Sequence, residues 1–214
     1  MEKYIDRQEA GEILAKELIG YKKVKDTIIY ALPRGGVPVA YQVAKKLDLP
    51  LDVFIVRKLG VPGHEELAFG AIAGENTVLY NERIIRDLSI PKEVVEKIIA
   101  KEKKELERRE LNYRGNIPHP DIENKTIILI DDGIATGATI RVAIKALREQ
   151  NPREIILAAP VASLATIKEM AVEVDKIYCP LQPVQFFAVG LWYEDFSQTT
   201  DEEVRELLKL SKKM

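Results

Sequence analysis

The chain has 214 residues, 46% of them hydrophobic and 31% charged, with a formal net charge of −2. That length is enough for one α/β domain with its own core, and the near-neutral balance removes the electrostatic case for nucleic acid as a main partner. One cysteine and two distant histidines exclude an internal disulfide and a zinc-finger spacing.

The first residues, MEKYIDRQEA, contain no apolar run, and the longest apolar stretch, 155–167, is short and broken by Pro160. A membrane span needs roughly 18 or more such residues, so neither a leader nor a span is expected, and the lone Cys179 fits a reducing, cytoplasmic setting. Cys179 itself reads as a small core residue at a strand end rather than a nucleophile.

Along the chain, helical spacing over 7–19 leads into a β-branched run at 27–32, a helix over 39–47 and a strand at 53–56. After a glycine-punctuated stretch, 68–73 and 77–80 read as a hairpin around residues 74–76. Residues 92–113 then read as a long charged helix, with Val95, Ile98, Ile99 and Leu106 on one stripe that Arg109 and Tyr113 continue. Strands at 126–130, 154–159 and 176–179 alternate with helices over 139–149 and 164–171. Alternating strands and helices predict an α/β fold, a parallel sheet flanked by helices on both faces, with the hairpin and long helix as additions. No linker or repeat divides the chain, so residues 1–214 read as a single domain.

The most informative segment is ILIDDGIATGATI, residues 128–140. A buried strand ends at Asp131 and Asp132, a loop of small residues follows, and a helix starts near Thr139. Gly133 and Gly137 allow close backbone approach. The amides of Ala135, Thr136, Gly137, Ala138 and Thr139 can converge on one anion at the positive end of the helix. No lysine precedes the threonine, so this is not the nucleotide P-loop. Two adjacent carboxylates would repel a polyphosphate. Vicinal sugar hydroxyls suit them as hydrogen-bond donors, which points to a ribose 5-phosphate.

The segment resembles the 5-phosphoribosyl-1-pyrophosphate (PRPP) signature of the type I phosphoribosyltransferases: apolar strand, two acids, then a T-G-x-T phosphate loop. The resemblance implies that fold with a small hood, formed by the terminal segments and including about 181–200. It also implies a Mg²⁺-dependent transfer of the phosphoribosyl group from PRPP to a nitrogenous base. Asp131 and Asp132 would hold the ribose hydroxyls, and indirectly the metal, while residues Ala135 to Thr139 surround the 5′-phosphate. Dimers are common in the family.

Further elements match it. ALPRGGVPVA, residues 31–40, is similar to the family's pyrophosphate loop, with Arg34, Gly35 and Gly36 at the leaving group and a cis peptide expected at Pro33–Arg34. In VRKLGVPGHEELAFGAIAG, residues 56–74, Arg57 and Lys58 would neutralise the departing pyrophosphate from a mobile loop tipped by Gly60, Pro62 and Gly63. His64 and Glu65 read equally as proton carriers or as a solvent-facing pair. In QPVQFFAVGLWYEDFSQ, residues 182–198, Phe187 would stack on the base, the Ala188 backbone would read its edge and Glu194 would meet a ring substituent. Enzymes for 6-oxopurines carry an acid where this chain has Ala135, which argues against hypoxanthine or guanine. A PRPP- or nucleotide-binding regulator without turnover is the alternative.

Overall fold

Thr126–Ile130 is buried at every position, as a strand covered on both faces must be. The computed structural model describes residues 3–74 and 77–213, apart from the side chains of Glu65 and Glu66. Strands β1 (Thr27–Ala31) and β2 (Leu51–Val53) open one sheet. Strands β3 (Val56–Val61), β4 (His64–Ala73) and β5 (Thr77–Tyr80) form another, and β6 (Thr126–Ile130), β7 (Glu154–Ala158) and β8 (Lys176–Tyr178) complete the first. The helices are α1 (Arg7–Glu17), α2 (Gly36–Leu47), α3 (Glu82–Asp87), α4 (Lys92–Arg114), α5 (Ala138–Arg148), α6 (Leu164–Met170) and α7 (Asp201–Ser211).

The larger sheet has the order β2-β1-β6-β7-β8, and every neighbouring pair is parallel. Ile29, Ile128 and Ile156 align across β1, β6 and β7, and they share one core with apolar residues of α1, α2 and α7. The alternate residues Ile28, Ile127 and Ile155 share a second core with Ile140, Ala143 and Ile144 of α5 and Met170 at the end of α6. Period-two alternation thus divides each strand between two helical layers. Fully burying one such side chain contributes about 1.5–3 kcal/mol, so the isoleucine rows hold the centre of the molecule.

The helix ends explain where the chain turns. Asp6 accepts the Glu9 amide at 2.8 Å and starts α1, and Thr200 accepts the Glu203 amide at 3.1 Å and starts α7. Three acids in the first turn of α7 further favour the positive end of that helix. Helices α3 and α7 are absent from the sequence expectations: α3 is a single short segment, and α7 reaches the core chiefly through Val204 and Leu208 within a charged sequence.

The second sheet corrects one expectation. The 53–56 run is not a single strand: β2 ends at Val53, and a new antiparallel sheet in the order β3-β4-β5 begins at Val56. Arg57 and Lys58 therefore lie inside β3 rather than in a loop after a strand. The glycines shape this ladder instead of dissolving it. Its register shifts on either side of Gly60, and Gly63 takes a positive φ of 77° at the tip. Helix α4 packs beside this sheet through Val95 and Leu106.

A small third core joins the ends of the chain. Tyr4, Ala10, Val161 and Tyr193 are buried together, with Trp192 and Phe196 partly covered against them. Backbone hydrogen bonds from Tyr4 to Trp192 (3.0 Å) and from Glu194 to Tyr4 (2.8 Å) tie the N-terminal segment to residues 192–194.

Candidate functional site

Strands β1 and β6 are neighbours at the sheet centre, so the loops leaving their carboxyl ends lie side by side, where parallel sheets bind ligands. The loop after β1 holds Arg34, Gly35 and Gly36, and the peptide joining Pro33 to Arg34 is cis. The glycines answer to crowding. A Cβ on Gly35 would stand 1.9 Å from Asp132 Oδ2, and one on Gly36 would stand 2.8 Å from the Ile130 carbonyl oxygen. Only backbone fits between this loop and the acid turn.

Asp131 and Asp132 stand at the end of β6, both half-buried. One oxygen of each is occupied: Asp131 Oδ1 accepts the Asp132 amide at 2.8 Å, and Asp132 Oδ2 accepts Arg7 Nε at 2.8 Å. Among the described residues, no side chain donates to Asp131 Oδ2 or Asp132 Oδ1. Burial, followed by the charge of Asp132, pushes the Asp131 carboxyl well above the usual carboxylate range. Burial also raises Asp132, and Arg7 opposes that rise. Two carboxylates out of water are costly without donors, so the pair is built to receive them.

The loop from Ala135 to Thr139 is fixed from below. Thr166 Oγ1 donates to the Ala135 carbonyl at 2.6 Å, and the Ile134 amide donates to the Val161 carbonyl at 2.9 Å. Gly137 adopts φ 70°, and a Cβ there would stand 2.1 Å from Met170 Cε. No side chain caps α5, while Ala135, Thr136 and Ala138 are exposed. Uncapped first-turn amides beside exposed small residues leave donors of the kind anions take.

The other residues expected from the sequence each have their own surroundings. Arg34 Nη1 lies 3.7 Å from Asp201 Oδ1, which also accepts the Tyr113 hydroxyl at 2.6 Å. Arg57 is engaged by Glu102 of α4 at 2.9 Å through Nε. Lys58 is exposed, at the edge of a groove of about 330 Å³ between the hairpin and α5 that Tyr80, Asn81 and Arg141 also line. Phe187 is 83% exposed and Ala188 is exposed beside it. Glu194 lines a cavity with Lys3, Tyr4 and Glu9. His64 is exposed on β4, and the Glu65 side chain lies outside the described residues. Arg109 pairs with Glu105 at 2.9 Å. Cys179 is buried, which pushes its thiol up to about 12 and matches its reading as a core residue.

Three contributors are missing from the sequence reading. Arg7 reaches Asp132, and the Tyr193 hydroxyl donates to the Asp132 carbonyl at 2.5 Å. Glu102 holds Arg57 from within the charged helix. Glu102 is buried amid a KEKKELERR surface, so charge patterning alone points the wrong way. Only its place on the Val95–Leu106 stripe could mark it.

Paired acids and an uncapped glycine-led helix start thus stand side by side at the top of the parallel sheet of an α/β protein. Residues 5–194 match the model of the phosphoribosyl transferase domain, and the chain belongs to that family. Relatives from two strains of Mycobacterium tuberculosis, provisionally named phosphoribosyl transferases, are 38% identical over 204 residues, which is 95% of this chain but 46% of theirs. The chain thus spans about half the length of these curated relatives. The crystal structure of TT1426 from Thermus thermophilus is 33% identical, with a TM-score of 0.82, covering 96% of this chain and 97% of that one. A hypoxanthine phosphoribosyltransferase from Staphylococcus aureus, 13% identical with a TM-score of 0.50 over 85% of this chain and 75% of its own, shares the fold.

Proposed function

We propose that this protein transfers the 5-phosphoribosyl group of PRPP to a nitrogenous base and releases pyrophosphate. The observation that carries the reading is the contact between the acid turn and the Gly35 backbone, which brings a diol site and a leaving-group loop to one point. In this reading, Asp132 Oδ1 accepts the ribose 2-hydroxyl and Asp131 Oδ2 accepts the 3-hydroxyl. The amides and hydroxyls of Ala135 to Thr139 hold the 5′-phosphate. The backbone of Arg34, Gly35 and Gly36 faces the pyrophosphate. As the bond to pyrophosphate breaks, positive charge develops on the sugar and negative charge on the leaving group, so positioning and electrostatics supply the catalysis.

The two carboxylates also suit Mg²⁺, which takes oxygen donors and commonly uses one or two carboxylates beside substrate phosphates. When bound, the ion would neutralise charge on the departing diphosphate. Arg57 already has Glu102 as partner, so Lys58 is the hairpin cation left for that role, and Arg57 joins by exchanging Glu102 for the diphosphate. The hood is residues 181–200 together with the N-terminal segment, within one domain. Phe187 stacks on the base, Ala188 reads its edge through the backbone, and Glu194 serves a substituent only if its side chain leaves the cavity of Lys3 and Glu9.

The engagement of Arg57 by Glu102 favours one alternative, a regulator that binds PRPP without turnover. Pyrophosphate release from PRPP and Mg²⁺, measured with a panel of purine and pyrimidine bases, separates the two. Release with any base supports the transferase. Micromolar PRPP binding with no release supports the regulator, and absence of PRPP binding overturns both.

A further inference from the structure

Arg7 is the first residue of α1, set in place by the Asp6 cap, and its side chain is 12% exposed. Its guanidinium meets three separate partners. Nε donates to Asp132 Oδ2 at 2.8 Å, Nη1 donates to the Ser197 carbonyl at 2.7 Å, and the plane lies 3.9 Å from the Phe196 ring centroid. The leaving-group loop adjoins the same spot, because a Cβ on Gly35 would stand 3.3 Å from Arg7 Nε. Segment 189–197 packs onto the acid turn from the other side. Tyr193 donates to the Asp132 carbonyl, and a Cβ on Gly133 would stand 2.4 Å from Val189.

The planar fork of arginine suits this job. It donates in two directions while stacking on an aromatic face, and lysine would supply a single point charge. The bond to Oδ2 also has a selective consequence. It takes one oxygen of Asp132 and leaves the other without a side-chain donor, so the carboxylate cannot rotate freely between the two.

We propose that Arg7 is a positioning residue of the diol site: it fixes Asp132 by Oδ2, keeps Oδ1 for a sugar hydroxyl, and ties the 193–197 segment to that same carboxylate. The proposal rests on the ribosyl-transfer reading and adds a residue that never touches the sugar. Ordering of the hood and recognition of the diol are then joined through one side chain. Arg7 acts on the hydroxyl end of the ligand only; the phosphate cradle from Ala135 to Thr139 is built by α6 and residues 161–163.

The test compares ribose 5-phosphate with 2-deoxyribose 5-phosphate by calorimetry, without metal, in wild type, Arg7→Met and Arg7→Lys. Wild type should bind the ribose form more tightly. Arg7→Met should weaken ribose 5-phosphate by roughly tenfold to a hundredfold, the scale of one lost charged hydrogen bond, and leave the deoxy sugar nearly unchanged. The preference for ribose then collapses, which a general loss of structure would not produce, since both sugars would weaken together. Arg7→Lys, keeping the charge but not the fork, should recover part of the preference. It should still leave the backbone amides of 193–197 exchanging faster with deuterium than in wild type. If Arg7→Met does not fold, Arg7→Lys carries the test by those two readouts. Variants that discriminate between the sugars as wild type does, with unchanged exchange at 193–197, overturn the proposal. Failure of wild type itself to prefer ribose is a different result, and overturns the diol reading beneath it.

Discussion

The acid turn after β6 and the hairpin of β3, β4 and β5 are made of the same materials, glycines beside charged residues, yet they are built in opposite ways. In and beside the turn, glycines make room for neighbours: at Gly35, Gly36 and Gly137 a carboxylate, a carbonyl and Met170 occupy the space that a Cβ would take. In the hairpin, Gly63 faces open space and permits a bend, while Gly60 sits at a slip in the ladder. The charges differ likewise. Asp131 and Asp132 are half-buried and each keeps an oxygen to which no described side chain donates, whereas Arg57 is neutralised by Glu102 of α4 and Lys58 projects into solvent. The packed, crowded geometry belongs to the central sheet, while the hairpin carries its charges on a ladder beside it.

That contrast breaks most visibly at the acids. Replacing Asp131→Asn and Asp132→Asn together should weaken PRPP by on the order of a hundredfold or more in calorimetry. The melting temperature should stay within a few degrees, because both carboxyls are held above their usual range by burial and neutral amides relieve that cost. Intact PRPP affinity would remove the diol assignment.

Lys58→Ala sharpens the opposite side. Turnover should fall roughly tenfold to a hundredfold while PRPP affinity moves little, since a solvent-borne cation matters when charge develops on the leaving group. Steady-state rates and calorimetry on the same preparation check the split; a rate equal to wild type takes Lys58 out of the mechanism.

Gly35→Ala probes the packed turn by a single methyl. The added Cβ would meet Asp132 Oδ2 at 1.9 Å, so the loop or the acid must shift. A loss of about 1–3 kcal/mol in denaturant unfolding and a loss of PRPP affinity of about tenfold are expected. The same change at Gly63, where nothing lies nearby, should cost only the strain of its positive φ.

Phe187→Ala should have the smallest effect on the fold. A side chain 83% exposed contributes little packing, so stability should change by less than about 0.5 kcal/mol. The KM of the accepted base should rise instead, and an unchanged KM would leave the ring without a role in the acceptor site.

Much of this was legible in the residues. The apolar run at Ile127–Ile130, the two acids and the glycine-spaced loop are contiguous, so one short window states both the strand and the turn that follows it. The cis peptide at Pro33–Arg34 falls where the resemblance put it. What stays hidden is what only three dimensions bring together. Arg7 is 125 positions from Asp132 and reads as an ordinary first-turn charge. Glu102 reads as solvated until β3 covers it, and Asp52 and Arg114, bonded at 2.8 Å beneath the sheet edge, carry no local signal at all. The strand boundary at Val53 is silent in the sequence because Phe54 and Ile55 stay buried through the change of sheet, leaving no polar break to mark it.

The pairing of Ala31 with Ile130 has a last consequence. Each half of the cleft begins just beyond that pair, so their alignment is inherited from the innermost ladder and not from any contact across the opening. Sliding β1 by one residue would displace its loop by about 3.3 Å and turn its core residues to the wrong layer. The alignment of the two loops and the folded core should therefore disappear in one transition.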